Sequence, residues 1–180
     1  KSTKIPLRLL FLGQMVQRKG LSYLLDSLKK IGSRNVELTI LGRGTIDRNL
    51  LDLYSPFVKF NVISGLSHSA LVKCLHDHDI MVLPSLIEGF GHVILEAMCA
   101  GLPVICTKNT AGPDVFLSGS EGIIVPIRDV DATAKSIEDF ATDRVKLEFM
   151  GRSAAMTARK FTWDKHIDGI KEFYIRFSQD

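Results

Sequence analysis

The sequence lacks three features that mark special classes of protein. No apolar run approaches the ~20 residues that a helix needs to span a bilayer. The formal net charge is only +3 and the basic residues are spread along the chain, so a nucleic-acid partner is not predicted. The three cysteines, Cys74, Cys99 and Cys106, stand among apolar residues without the Cys/His spacing of a zinc site. We therefore expect small buried thiols in a reducing compartment and no bound metal.

What is present is the composition of an ordinary α/β protein. Hydrophobic residues make up 46% of the 180 residues and charged residues 24%, which is sufficient for a real core. The length fits a single domain over residues 1–180, or one complete half of a larger protein. The first residues, Lys1 to Lys4, lead directly into an apolar run without the pattern of a signal peptide. From this abrupt start we expect that upstream sequence has been removed.

Short apolar runs alternate with segments of helical periodicity along the chain. The predicted strands are residues 5–12, 36–41, 57–63, 80–83, 103–107 and 121–125. The predicted helices are residues 20–30, 45–54, 69–76, the segment that ends at 101, 129–140, 144–161 and 163–177. Most strands are continuously apolar, which favours a parallel sheet covered on both faces. We predict the α/β class, with a doubly wound, Rossmann-like six-stranded parallel sheet in the order 3-2-1-4-5-6.

The predicted topology brings two loops to one crevice, at the carboxyl ends of strands 1 and 4, where the strand order reverses. These loops are residues 13–19 and 84–91. The first contains Lys19, a mobile point charge that would neutralise a diphosphate beside a helix N-terminus. A solvated lysine in the first turn of a helix explains this residue equally well. The topology by itself directs Lys19 towards Glu88 in the second loop.

The segment 83–101 carries the pattern most typical of a binding site. Gly89 and Gly91 lack a Cβ and let the backbone approach a ligand closely, and the following helix presents free N–H groups to a phosphate. Glu88 lies in the loop and Glu96 in the second turn of the helix, and carboxylates in such places suit the hydroxyl groups of a sugar. The alternative is a pair of surface carboxylates with nearby cations. A glycoside hydrolase pair is disfavoured, because Glu96 lies a turn or more along the helix.

Two further patterns are weak signals. The Gly42-Arg43-Gly44 turn resembles a dinucleotide-binding motif, but it follows the second strand and Asp47 stands in place of the third glycine. Three histidines surround the helix after the third strand, and we expect solvated or capping roles for them: His68, His76 and His78.

Five segments occur in an order that resembles a known family. They are Phe11 to Gln14 with Arg18 to Gly20, Leu38 to Gly44, Leu83 through Glu88-Gly-Phe-Gly91 to Glu96, Gly101 to Val104, and Glu121 to Pro126. Together they resemble the carboxyl-terminal, donor-binding domain of group 1 retaining glycosyltransferases of the GT-B fold, and the match covers almost the whole chain. The resemblance implies one half of a GT-B enzyme, whose amino-terminal domain with the acceptor site is absent from residues 1–180.

The resemblance also implies roles for the residues of the two loops. Glu88 and Lys19 would be the catalytic residues: Glu88 would contact hydroxyls of the transferred sugar, and Lys19 would stabilise the leaving phosphate. Glu96 would accept hydrogen bonds from the ribose, and the backbone N–H groups of 90–92 would hold the diphosphate. The donor would be a UDP- or GDP-linked sugar, and neither cofactor nor metal is expected. The implied donor-binding residues are Gly13, Gln14, Lys19, Glu88, Gly89, Phe90, Gly91, His92 and Glu96.

One residue departs from the family pattern. Gln14 stands where the family usually has an arginine that forms a two-cation clamp with the lysine. A glutamine donates a hydrogen bond but carries no charge, and the sequence does not fix the direction of Arg18. Beside a hexosyltransferase, two alternatives therefore stay open: a non-catalytic module that binds sugar nucleotides, and a GT-B-fold epimerase or phosphorylase.

The resemblance finally implies the surroundings of the full-length enzyme. We expect a cytoplasmic protein of polysaccharide biosynthesis whose partners are the nucleotide sugar and the missing amino-terminal domain. The basic residues modestly favour an anionic surface, so peripheral association with the inner face of the membrane is also expected as an option.

Overall fold

The computed structural model describes residues 5–32 and 35–177, and the expectation about the start of the chain falls outside them. Strands and helices alternate from the first strand to the sixth helix, and two further helices follow at the carboxyl-terminal end of the described ranges. The strands are β1 (Leu7–Leu12), β2 (Val36–Leu41), β3 (Lys59–Ile63), β4 (Ile80–Leu83), β5 (Val104–Thr107) and β6 (Gly122–Val125). The helices are α1 (Leu21–Ile31), α2 (Arg48–Tyr54), α3 (His68–His76), α4 (Val93–Cys99), α5 (Gly112–Val115), α6 (Val130–Thr142), α7 (Arg144–Ala158) and α8 (Trp163–Phe177).

The strands form one parallel sheet in the order β3-β2-β1-β4-β5-β6. This confirms the predicted fold class and strand order. Strand β1 lies in register with β2 along its whole length, starting with Leu7 opposite Val36. On its other side β1 meets β4, with Leu9 opposite Ile80. Strands β2 and β3 lie on one side of β1, and β4, β5 and β6 lie on the other. The loops that follow β1 and β4 therefore lie next to each other.

The two faces of β1 belong to two separate hydrophobic clusters. Leu7, Leu9 and Phe11 face the cluster that contains the apolar sides of α1 and α6. Leu10 and Leu12 face the opposite cluster, which contains the apolar sides of α3 and α4. Because strand side chains alternate between faces, a central strand covered on both sides must be continuously apolar. Truncation of one such buried leucine to alanine typically costs about 2–5 kcal/mol of folding free energy.

Capping side chains set where several helices begin. Ser67 accepts a hydrogen bond from the Ala70 N–H at the start of α3, and Asp129 accepts one from the Ala132 N–H at the start of α6. Asp47 caps α2 in the same way, so this helix begins at Arg48 and not at residue 45.

The helical spacing of Ile46, Leu50 and Leu53 predicts one shared apolar face on α2, but Leu53 is 56% exposed, whereas Tyr54 is buried. The hydroxyl of Tyr54 donates a 2.6 Å hydrogen bond to Asp26 on α1, which joins the two helices.

Several predicted boundaries and one predicted environment differ from the structure. Strand β1 begins at Leu7, because Ile5 is largely exposed, and α7 ends at Ala158, before the predicted 161. Cys74 and Cys106 are buried as expected, but Cys99 is exposed. Cys99 lies three positions after Glu96 on α4, and both belong to the outward face of that helix.

The last helix, α8, lies on the surface of this domain. Its side chains include six large exposed apolar groups in addition to Trp163, and none of its residues is buried. They are Ile167, Ile170, Phe173, Tyr174, Ile175 and Phe177. The apolar residues of segment 163–177 allow packing either into the core of this domain or against another domain, and the exposure of α8 excludes the first. Within the described residues, no helix is long and apolar enough to cross a membrane.

Candidate functional site

Lys19 and Glu88 meet where the loops after β1 and β4 lie side by side. The ammonium group of Lys19 donates to a carboxylate oxygen of Glu88, across 69 positions of sequence. Only about 10% of either side chain is exposed. The prediction that topology brings these two residues together is confirmed. The alternative of Lys19 as a solvated surface lysine is wrong.

The first loop is held against the second by its backbone. Residues Gln17–Lys19 form one short 3-10 turn, which ends at Gly20 with φ of 75°. The carbonyl oxygen of Arg18 accepts a 2.8 Å hydrogen bond from the N–H of Leu86 in the second loop. A Cβ built on Gly13 would lie 3.7–3.9 Å from the aliphatic chain of Lys19, so that chain lies next to Gly13. The position of the Lys19 ammonium group is therefore set by the packing of both loops.

The second loop is fixed by the last residue of β5 and by residues that follow it, and sequence reasoning missed them. Thr107 donates a 2.5 Å hydrogen bond to the carbonyl oxygen of Ser85, and Asn109 donates a 2.8 Å bond to that of Leu86. The N–H of Ala111 donates to the carbonyl oxygen of Phe90 at 3.1 Å. The available sequence signal was the polar segment from Thr107 to Thr110, at the end of a buried strand next to β4. These bonds hold the loop around Glu88 without using its carboxylate.

Glu88 has two further polar neighbours. The hydroxyl of Ser85 donates to the oxygen that also accepts from Lys19, at 3.4 Å. The guanidinium of Arg18 approaches the other oxygen at 3.8 Å. Arg18 also donates to the side-chain oxygen of Gln14 at 3.4 Å, so Gln14 reaches Glu88 only through Arg18. Two cations thus surround one carboxylate, which leaves an excess of positive charge at the open side of the site.

The glycine-rich turn precedes α4 as predicted. Gly91 adopts φ of 76°, a conformation that other residues rarely take, and a Cβ there would lie 3.0 Å from the side chain of Glu88. Gly89 has open space around it. Phe90 and His92 are exposed, with ring centroids 5.2 Å apart. Backbone and aromatic groups of this turn are therefore accessible to a ligand.

Glu96 lies apart from the ionic cluster. Helix α4 begins at Val93, so Glu96 lies in the first turn of the helix. The predicted position in the second turn is wrong. Its side chain is exposed and forms no ion pair among the described residues. Glu96 therefore lies on the helix that follows the glycine-rich turn but forms no ion pair with Lys19.

A cavity of about 620 Å³ adjoins the glycine-rich turn. It lies between the start of α4 and the start of α8, and its walls are mainly aromatic and basic. The walls include Phe90, His92, Lys160, Phe161, Trp163 and His166. Across the described residues there is no group of three or more His, Cys, Asp or Glu side chains that could hold a metal ion.

The arrangement has a definite chemical capacity. The excess positive charge beside Glu88 suits an anion with more than one charge, and phosphate oxygens accept the forked donors of an arginine well. The Glu88 carboxylate retains lone pairs that could accept hydrogen bonds from hydroxyl groups. An anion bound next to the cations, together with a polyol bound to the Glu88 carboxylate, would match both groups.

Comparison with known proteins gives a family match. The family model described as glycosyl transferases group 1 matches residues 2–157. An uncharacterized glycosyltransferase from Methanocaldococcus jannaschii is 31% identical over 161 residues. That alignment covers 87% of this chain but only 41% of the relative, so the chain spans less than half the length of that protein.

Solved structures show the same fold. Sucrose-phosphate synthase from Thermosynechococcus elongatus superimposes with a TM-score of 0.82 at 22% identity, over 100% of this chain and 47% of that one. HepE from Anabaena, solved in complex with UDP and glucose, gives a TM-score of 0.77 at 20% identity, over 96% of this chain and 49% of that one. In both cases the chain corresponds to about half of a larger protein, which agrees with the prediction of one half of a GT-B fold.

Proposed function

Because the chain belongs to the family of group 1 glycosyl transferases, we propose that it is the donor-binding, carboxyl-terminal half of a retaining glycosyltransferase. The intact enzyme would transfer a hexose-type sugar from a nucleoside diphosphate to an acceptor hydroxyl. The observation that carries this proposal is the partly buried pair of Lys19 and Glu88 at the reversal point of the sheet. A cation and a carboxylate at one place match the two parts of a nucleotide sugar, its diphosphate and its hydroxyl groups.

Lys19 acts on the leaving group in this proposal. When the bond from the sugar to the diphosphate breaks, negative charge develops on the leaving phosphate. A cation already positioned there stabilises the transition state without reorganisation. The fixed aliphatic chain of Lys19 beside Gly13 supports such positioning. Backbone N–H groups of Phe90, Gly91 and His92 are the additional donors to the diphosphate.

Glu88 acts on the sugar, and Glu96 on the ribose. Glu88 would accept hydrogen bonds from hydroxyls of the transferred sugar. Glu96 would accept hydrogen bonds from the ribose hydroxyls, because it is exposed beyond the glycine-rich turn. The presence of UDP and glucose in the HepE structure supports UDP as one of the two candidate nucleotides, with GDP as the other.

The acceptor site belongs to a second domain in this proposal. The described residues span less than half of the M. jannaschii relative, and α8 presents its large apolar side chains to solvent. Exposed apolar patches of this kind mark interaction sites. We infer that α8 packs against the missing amino-terminal domain, beside the cavity that adjoins Phe90 and His92.

A non-catalytic sugar-nucleotide-binding module is the second candidate. The uncharged Gln14 favours it, because this position adds no cation of its own to the site. Such a module would bind the same donor. Transfer assays with the full-length protein distinguish the two candidates.

Calorimetric titration of the 180-residue chain tests the proposal. UDP or GDP should bind more tightly than the matching monophosphate, and Lys19→Ala should remove most of that difference. Lys135→Ala, which removes an exposed lysine on α6, is the matched control and should change nothing. Added magnesium should alter the affinities little. Equal affinity of the unmodified chain for mono- and diphosphate would contradict the role of Lys19.

A further inference from the structure

We propose that Arg18 is the second cation of the diphosphate site and that Gln14 positions it. This inference rests on the function proposed above, and it assigns to Arg18 a contact with the substrate. The family resemblance places no residue of this kind at position 18. The assignment comes from the direction of the side chain and from the charges around it.

The backbone of Arg18 is fixed whereas its guanidinium is not. Its carbonyl oxygen accepts the hydrogen bond from Leu86, which ties residue 18 to the second loop. The side chain is 47% exposed, compared with 10% for Lys19. It starts from a rigid point and ends at the open side of the ionic cluster. A side chain in this position reaches an incoming ligand without any movement of the loop.

The existing contacts of the guanidinium are few and weak. One nitrogen lies 3.8 Å from Glu88, beyond hydrogen-bond distance, and the other donates to Gln14 at 3.4 Å, near the upper limit. A guanidinium has five N–H donors in a planar fork. Most of them are therefore available for the two oxygens of a phosphate, which the fork matches in geometry.

The charges of the cluster indicate what Arg18 contributes to the site. Lys19 is neutralised by Glu88, since the two form a close ion pair with little exposure. A diphosphate that met only this pair would meet no net positive charge. With Arg18 the cluster carries two positive charges and one negative charge, which is the balance that an anion requires. Arg18 therefore supplies the excess charge of the site.

Gln14 acts as a positioning residue for Arg18. Its side-chain oxygen accepts a hydrogen bond from the guanidinium, which limits the directions that the Arg18 side chain can take. Because the side chains of Gln14 and Arg18 meet, a cation moved from position 18 to position 14 would arrive in the same space. This gives a test that changes the residue but keeps the charge.

The experiment compares the affinities for UDP, UMP and uridine, and for the guanosine series in parallel, by calorimetry on the 180-residue chain. Arg18→Gln should reduce the preference for diphosphate over monophosphate by about tenfold, the size expected for loss of a charge-assisted contact, and leave nucleoside binding unchanged. Arg18→Lys should reduce it less, because the charge remains but the fork is lost. The double variant Gln14→Arg with Arg18→Gln should restore the preference. Arg152→Gln, an exposed arginine on α7 paired with Glu148, is the control for loss of one positive charge.

The outcomes separate this inference from the proposed function. If Lys19→Ala removes the diphosphate preference while Arg18→Gln leaves it intact, the role of Arg18 is wrong and the donor site stands. An equal loss in Arg18→Gln and Arg152→Gln would also overturn it, since net charge alone would then explain the effect. If the unmodified chain shows no preference for a diphosphate, the proposed function fails and the role of Arg18 with it.

Discussion

Gly20 lies so close to Pro84 that a Cβ built on Gly20 would come within 1.9 Å of the Pro84 carbonyl oxygen. This contact joins the residue after Lys19 to the first residue of the loop that carries Glu88. Gly20 also adopts φ of 75°, which favours glycine. The distance between the two charged residues therefore depends on the absence of one side chain.

Gly20→Ala should destabilise the chain by about 1–3 kcal/mol or more, because both the backbone conformation and the contact with Pro84 are strained by a Cβ. Urea denaturation followed by circular dichroism measures this loss. Gly89→Ala is the matched control. A Cβ at Gly89 meets nothing within 4 Å, and the φ of Gly89 lies outside the left-handed region that favours glycine. An equal stability of the two variants would contradict the steric argument.

Glu88→Gln should separate binding of the nucleotide from binding of the sugar. The substitution removes the negative charge next to Lys19, so UDP or GDP alone should bind as tightly as before or several-fold more tightly. The nucleotide sugar should lose its additional affinity, because an amide is a weaker acceptor for hydroxyl groups than a carboxylate. Titrations of the nucleotide and the nucleotide sugar with both proteins measure the difference. A parallel loss for both ligands would show that Glu88 serves only to hold the loop.

Thiol labelling should distinguish Cys99 from the other cysteines. Cys99 is exposed, whereas Cys74 and Cys106 are buried. Burial raises the pKa of the Cys106 thiol to about 11 and also raises the pKa of Cys74, so few thiolates form there near neutral pH. An aromatic disulfide reagent should react with one thiol in the native chain and three in urea. Cys99→Ser should abolish the native reaction, and persistence of that reaction would contradict the assignment.

Stability should fall at alkaline pH, partly through Tyr54. Its hydrogen bond to Asp26 raises the pKa of the phenol to about 12, above the ordinary value of 10.0. Folding thus favours the protonated phenol, and this contribution is complete below about pH 10 and is lost as the pH rises towards 12.

Tyr54→Phe tests that contribution. It should cost about 1 kcal/mol at pH 8, through loss of the hydrogen bond, and it should flatten the decline of stability above pH 10. Part of the decline should remain, because the raised pKa of Cys106 acts in the same direction from about pH 9 upward. Urea midpoints measured from pH 8 to 11.5 give both values. Superimposable pH profiles would contradict the role of Tyr54.

The isolated chain should bind donor but transfer no sugar. Orientation of two reactants accounts for about 7–11 kcal/mol of barrier lowering, and in the proposed enzyme the groups that would orient the acceptor belong to a second domain. A radiolabelled donor assay, with and without a separately produced amino-terminal domain, measures this. Replacing Phe173 and Phe177 on α8 by Ser should weaken any rescue by that domain and leave donor binding unchanged. Efficient transfer by residues 1–180 alone would contradict the half-enzyme proposal.

The sequence was sufficient for the features that depend on periodicity and topology. Continuous apolar runs and the helices between them predicted the sheet order, and the order placed Lys19 next to Glu88. The direction of Arg18 was not predictable, because it depends on where Gln14 and Glu88 lie after folding. The hydrogen bonds from Thr107 and Asn109 were missed for the same reason, since they join loops from different strands.

The wrong expectations came from treating residue type as if it determined burial. Cys99 was expected in the core because cysteine is small and apolar, but its position on α4 turns it outward. Leu53 was expected to share a buried face with Ile46 and Leu50 because of its helical spacing, but it is exposed. For α8, the apolar residues on several faces agreed with two explanations, and only the folded arrangement excluded packing into the core of this domain.

The position of the central strand pair also governs the order of events during folding. β1 and β4 are neighbours in the sheet although about 70 residues separate them, so their pairing closes a long loop and costs more chain entropy than a local contact. Lys19 and Glu88 come within reach only after β1 and β4 have paired. A nascent chain released before β4 has emerged therefore contains the lysine of the site without its carboxylate.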